Sequence, residues 1–292
     1  MQLKNFIKSK VVTVGPADSL DKAIALMEEH QIHHLPVVDN ERPVGMISDR
    51  DLLIAVGWKL EVERALDARR RKVVGPRRVR EIMAHPVVTI DPEAEIHTAA
   101  RAMADGRFHA LPLVRNDAIV GVVTCSDLLS LYSGEGSAVA ADPRLDEPVS
   151  SRMHASVQTI GPKEPLHAAS KMFHDLRIRH LPVAADGVLM GLVTDRDVRR
   201  ECGADAIEDE KAQANGGYYI GATTILDIMT RDVETATEST SLRDAMRSIV
   251  ASGIGCLPIV RAESLVGIIT ETDLLRLVAM IDDDACATGR SS

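Results

Sequence analysis

The chain has 292 residues, 45% hydrophobic and 26% charged, with a formal net charge of −9 at pH 7. That length supports two cores of ordinary size, and the negative charge disfavours general binding to a nucleic-acid backbone. Apolar runs are only a few residues long and the start "MQLKNFIKSK" lacks the features of a secretory signal, so a soluble cytoplasmic protein with no membrane segment is expected.

In chain order, the first element is a short β segment, "VVTV" (11–14), followed by a loop at Pro16. "SLDKAIALMEEH" then reads as an amphipathic helix. Leu20, Ile24 and Met27 fall on one face, and Asp18 or Ser19 can cap its free amides. "HLPVVDNERPVGMISDRDL" (34–52) supplies two brief strands around a turn, and Ser48 with Asp51 then opens a second helix. His33 and His34 stand just before this strand pair. Read alone, they admit a metal site, a catalytic base, or two half-exposed strand residues. After them comes a basic run, "RALDARRRKVVGPRRVR" (64–80), which reads by default as a solvated linker.

The pattern of 34–52 recurs without gaps at 110–128, 180–198 and 256–274. Pro36, Pro112, Pro182 and Pro258 are each followed nine residues later by Gly45, Gly121, Gly191 and Gly267, where a strand can admit a ligand or another backbone. The hydroxyl and aspartate recur as Thr124 and Asp127, Thr194 and Asp197, and Thr270 and Asp273. The first and third prolines lie 146 residues apart, as do the second and fourth, so the chain is two copies of a two-repeat unit. Each repeat reads β-α-β-β-α, an α/β unit too small and too poor in aromatics to bury a sufficient core alone. Pairing of repeats follows.

Repeats are placed at 1–57, 79–135, 149–202 and 225–281. Between the halves, "SGEGSAVAADPRLDEP" (133–148) has connector composition. The counterpart of the basic run is acidic and then glycine-rich (208–226), and a flexible tail is expected over 282–292.

These residues resemble the cystathionine-β-synthase-type (CBS) domain, through the "x-L-P-V" strand, the "h-G-h-h-[ST]-x-x-D" turn, and "REIM" or "LDIM" before repeats 2 and 4. The resemblance implies two Bateman modules, 1–135 and 145–281, meeting in a flat pseudo-symmetric disc. It also implies clefts for adenine nucleotides or related adenosyl ligands, S-adenosylmethionine among them. Ser48, Asp51, Thr124, Asp127, Thr194, Asp197, Thr270 and Asp273 become the ribose and phosphate candidates. A carboxylate suits vicinal ribose hydroxyls, and a helix start suits phosphate; the plainer reading is that each pair only caps its helix.

By the same resemblance, the positions before the L-P pair reach phosphate. They hold His33 and His34 in repeat 1, His109 in repeat 2, and Arg179 and His180 in repeat 3. Arginine in place of histidine argues against metal. Arg50 and Arg196 lie inside the odd motifs; ligand contact and a surface salt bridge are both open for them. The odd repeats are expected to dominate phosphate binding, with tighter binding at the His33/His34 end near pH 6 than near pH 8.

No P-loop, G-x-S-x-G, H-E-x-x-H or Rossmann fingerprint is present, and the cysteines (Cys125, Cys202, Cys256, Cys286) form no C-x-x-C pair. A non-enzymatic regulator is therefore expected, with no obligatory cofactor or metal, an adenine nucleotide as regulatory ligand, an effector protein as partner, and homodimerisation. The alternative is a scaffold with degenerate sites whose basic linker 69–80 holds an acidic protein or nucleic acid.

Overall fold

The computed structural model describes residues 2–7, 10–52, 55, 76–134, 141–205 and 223–288. In repeat 1, α1 (Leu20–His30) precedes the hairpin β1 (His34–Asp39) and β2 (Arg42–Ser48), and a second helix opens at Asp49. Repeat 2 has α2 (Ile96–Gly106), β3 (Ala110–Arg115), β4 (Ala118–Thr124) and α3 (Cys125–Ser133). Repeat 3 has α4 (Leu166–Leu176), β5 (His180–Ala185), β6 (Val188–Thr194) and α5 (Asp195–Asp205). Repeat 4 has α6 (Leu242–Ser252), β7 (Cys256–Arg261), β8 (Ser264–Thr270) and α7 (Glu271–Thr288). The last helix thus runs past Asp282, where the sequence suggests a flexible tail. The basic residues Arg69, Arg70, Arg71 and Lys72 lie outside the described residues, as does most of the acidic counterpart.

Every hairpin turns through two residues of positive φ: Asn40 and Glu41, Asn116 and Asp117, Asp186 and Gly187, Ala262 and Glu263. This backbone twist matches that of the flanking strands.

The leading β segment is shorter than the sequence suggests. It contributes one parallel bridge per repeat, at Val14, Ile90, Ile160 and Ala236. In repeat 1, Val14 N donates to Pro36 O at 3.1 Å and Val38 N donates to Val14 O at 2.8 Å. The next rung of a parallel ladder would need an N–H from residue 36. Proline has none, so the pairing stops there in all four repeats.

Within each half, the segment leading into one repeat crosses to the second strand of its neighbour. Met46 bridges Ala84 and Ile7 bridges Gly121; in the other half Leu192 bridges Thr230 and His154 bridges Ile268. The pairs Gln2 with Glu95, Ser19 with Arg78 and Met46 with Ala84 recur 146 residues on as Pro148 with Ser241, Pro165 with Thr224 and Leu192 with Thr230. The conserved spacing of the glycines is explained by the same crossings. A Cβ on Gly121 would lie 2.5 Å from Phe6 O, and one on Gly191 2.5 Å from Thr230 O. The close neighbour is another backbone.

The hydrophobic cores join the halves unevenly. α2 packs on α7 and α3 packs on α6, so repeats 2 and 4 share one core containing Leu111, Leu128, Leu129 and Tyr132 with Leu242, Met246, Leu274 and Leu277. Each such side chain contributes about 1.5–3 kcal/mol on burial. Repeats 1 and 3 keep separate clusters, around Leu35, Ile47 and Val79 and around Leu181, Val193 and Ile225. No described helix is long and apolar enough to cross a membrane.

Candidate ligand-binding site

Each hydroxyl-x-x-Asp forms the same local ring at the start of the second helix. Ser48 N and Ser48 Oγ both donate to Asp51 Oδ2, at 2.8 and 2.6 Å. Thr124 with Asp127, Thr194 with Asp197 and Thr270 with Asp273 reproduce it, with hydroxyl donation at 2.6 Å in each. The capping role considered for these residues is therefore present in all four. It uses one carboxylate oxygen. Among the described residues, Oδ1 of Asp51, Asp127 and Asp197 accepts no hydrogen bond, whereas Oδ1 of Asp273 lies 3.0 Å from His154 Nε2 and 3.3 Å from Arg276 Nη1.

A cavity of about 520 Å³ lies where the four repeats converge. His33, His34, Arg50, His109, Arg179, His180 and Arg196 all line it, together with Ser48, Thr124, Asp127 and Thr194. Asp51, Asp197, Thr270 and Asp273 are not part of its lining. The basic side chains are brought together because the residue two before each L-P pair accepts, through its carbonyl, a hydrogen bond from the first residue of its repeat's second helix. Asp49 N donates to His33 O, Cys125 N to His109 O, Asp195 N to Arg179 O and Glu271 N to Gly255 O, at 3.0 to 3.1 Å.

Those same bonds bring in residues that the motif reading passed over. Asp49, Asp195 and Glu271 put three carboxylates into the cavity wall. Arg50 pairs with Asp195, Arg196 donates to Asp49 at 2.6 Å, and His33 Nδ1 lies 3.0 Å from that same Asp49 oxygen. His109 Nδ1 is 3.6 Å from Glu271 Oε2. The arginines of the odd motifs thus form salt bridges, and these span the two halves instead of lying along their own helices. Their signal was the residue after each hydroxyl, acidic in three repeats out of four. Gly255, the repeat-4 counterpart of His33, His109 and Arg179, packs on the histidine of repeat 3: a Cβ there would lie 2.5 Å from the His180 ring.

Arg179 differs from the other arginines. It is half-buried, and no carboxylate among the described residues lies within ion-pair distance; its guanidinium donates only to Arg107 O, at 3.3 Å. Desolvation, and next the charge of Arg50, press its pKa below the ordinary value. Desolvation likewise holds His34 and His180 down to about 4. Both rings are neutral near pH 6 without ligand. The sequence suggests a charged His34 near pH 6, whereas shielding from water holds the ring neutral in the ligand-free protein. Burial pushes the Cys125 thiol up and the Cys256 thiol up to about 12, leaving both protonated at neutral pH. Among the described residues, no three His, Cys, Asp or Glu side chains are grouped to hold a metal ion.

The sequence profile of the CBS domain matches four stretches, 3–57, 79–134, 149–203 and 225–280. The chain belongs to the CBS-domain family. Protein MJ1225 of Methanocaldococcus jannaschii is 29% identical over 277 residues, covering 92% of this chain and 96% of that one. Its crystal structure, described as that of a candidate archaeal homolog of g-AMPK, aligns with a TM-score of 0.73 at 26% identity over 95% of this chain and 99% of that one. An uncharacterised Pyrococcus horikoshii protein shares the fold, at TM-score 0.63 and 20% identity over 95% of this chain and 100% of that one. The inosine-5'-monophosphate dehydrogenase of Korarchaeum cryptofilum is 31% identical over 126 residues, which cover 43% of this chain and 23% of the enzyme. The four CBS repeats and their pairing into two Bateman modules thus agree with the repeat pattern read from the sequence.

Proposed function

We propose that this CBS protein is a non-catalytic regulator that binds an adenine nucleotide, or a related adenosyl compound, between paired repeats, and passes ligand state to an effector protein. The observation that carries the reading is Arg179, a half-buried cation in a cavity of about 520 Å³ without a carboxylate at ion-pair distance among the described residues. Charge-assisted bonds to an anionic phosphate would compensate it, at roughly 1.5–3 kcal/mol each. His34, His109 and His180 line the same wall and add donors. The spare oxygen of Asp127, which lines the cavity, suits a ribose diol, Asp51 and Asp197 carry the same spare oxygen outside its lining, and the family resemblance supports the adenosyl part of the reading.

Transmission follows from where the charges sit. Arg50 and Arg196 border the cavity and also tie repeat 1 to repeat 3. A phosphate in the cavity competes with Asp195 and Asp49 for these arginines, which gives bound and free states different contacts across the halves. Self-association of the disc belongs to the same reading, and light scattering showing only single chains would remove it. The binding claim is tested by calorimetry with AMP, ADP, ATP and S-adenosylmethionine. No heat of binding from any of them at millimolar concentration would refute it.

A further inference from the structure

We propose that the repeat-4 cleft is latched shut by the protein itself, with His154 as the latch and Arg276 as its support, so that the clefts of this chain are not equivalent. The inference rests on the reading of the Asp carboxylates as ribose ligands. In repeat 4 the oxygen that would accept from the diol is already engaged: Asp273 Oδ1 lies 3.0 Å from His154 Nε2 and 3.3 Å from Arg276 Nη1, while Oδ2 is held in the helix cap. Asp273 is 8% exposed, so a ligand must displace these two groups to reach it.

The latch has a definite position in the fold. His154 stands on the crossing segment of repeat 3, where its N–H and C=O exchange bonds of 2.9 and 3.0 Å with Ile268. Ile268 precedes Asp273 by five residues. The same crossing places Ala84 across from Met46, five residues before Asp51, and Thr230 across from Leu192, five residues before Asp197. An alanine has no group to offer Asp51, and Thr230 makes no side-chain bond to Asp197 among the described residues. In repeat 2 the bridge is Ile7 with Gly121, six residues before Asp127, and Lys8, which stands 146 residues before His154, lies outside the described residues. Among the described crossing residues, His154 alone puts a donor on its neighbour's cap carboxylate. Arg276 occupies the helix position held by Ser130 in repeat 2 and gives the carboxylate a second donor.

The His154 side chain is 59% exposed, so replacing it removes little packing. Equilibrium dialysis and calorimetry with AMP compare the wild-type protein, His154→Thr, which copies Thr230, and His154→Thr with Arg276→Ser. The latch predicts one more AMP bound per chain in the double variant than in the wild type, with the single variant gaining the same site at weaker affinity. Equal AMP counts in the wild type and both variants overturn the latch and leave the adenosyl reading standing. No AMP bound by any of the three overturns that reading and the latch with it.

Discussion

Arg196 donates to Asp49 at 2.6 Å, binding the third repeat to the first across the two halves of the disc. Arg50 and Asp195 join the same repeats in the opposite sense. The two bonds differ in burial, since the side chain of Asp195 is 9% exposed and that of Asp49 is 25%. Removing Arg50 takes a charge-assisted bond from a nearly buried carboxylate, at a cost of about 1–3 kcal/mol. Arg196→Ala leaves Asp49 with His33 and water and costs at most about 1 kcal/mol. Urea unfolding of the two variants with unchanged slope should rank them in that order; equal midpoints would contradict it.

Gly191→Ala should destabilise the second module by about 1–3 kcal/mol, because its Cβ would be driven against the Thr230 carbonyl at 2.5 Å and the crossing backbone would have to shift. Gly134→Ala is the control. Its nearest atom would be Ser130 O at 3.8 Å, and its effect should stay within about 0.5 kcal/mol. Thermal unfolding of both variants reads the difference.

Ligand contacts of phosphate and of ribose separate by choice of ligand. Arg179→Ala with His180→Ala should weaken ATP by about tenfold or more while changing adenosine little. Asp197→Asn keeps an oxygen for the Thr194 cap but replaces the spare carboxylate oxygen by an amide, and should weaken ATP and adenosine alike. Calorimetric titrations with both ligands decide. Equal losses of ATP and adenosine in the double variant would show that the basic pair does not touch phosphate.

The ligand-free protein should show no histidine titration at His34 or His180 between pH 8 and pH 6, because desolvation holds both near 4 against 6.5 for an ordinary histidine. The fold favours the neutral ring, so the unfolded chain binds more protons wherever the two states differ. Their contribution to stability is fully present above pH 6.5 and is lost as pH falls from there through about 4. Imidazole Cε1–H shifts followed by NMR measure the midpoints directly; a midpoint near 6.5 at either residue would contradict the shielding.

The repeat, the elements within it and the cap at each second helix could be read along the chain, because each depends on spacing: the glycine nine residues after proline, the hydroxyl three before aspartate, the helical period of Leu20, Ile24 and Met27. Even the truncation of the leading strand follows from a residue in plain view, Pro36 with its missing N–H, once the ladder is drawn. Tertiary structure decided what those residues face. Asp49 and Asp195 gain meaning only when a second repeat, 147 or 145 residues away in the chain, presents Arg196 or Arg50 to them. The spare oxygens of Asp51 and Asp273 are equivalent in the motif, yet a crossing segment sets an alanine beside one and His154 beside the other. Burial of His34 and His180 is likewise a property of four repeats closing around one cavity. Local spacing is encoded by neighbours in sequence, whereas charge compensation and desolvation are set by neighbours in space.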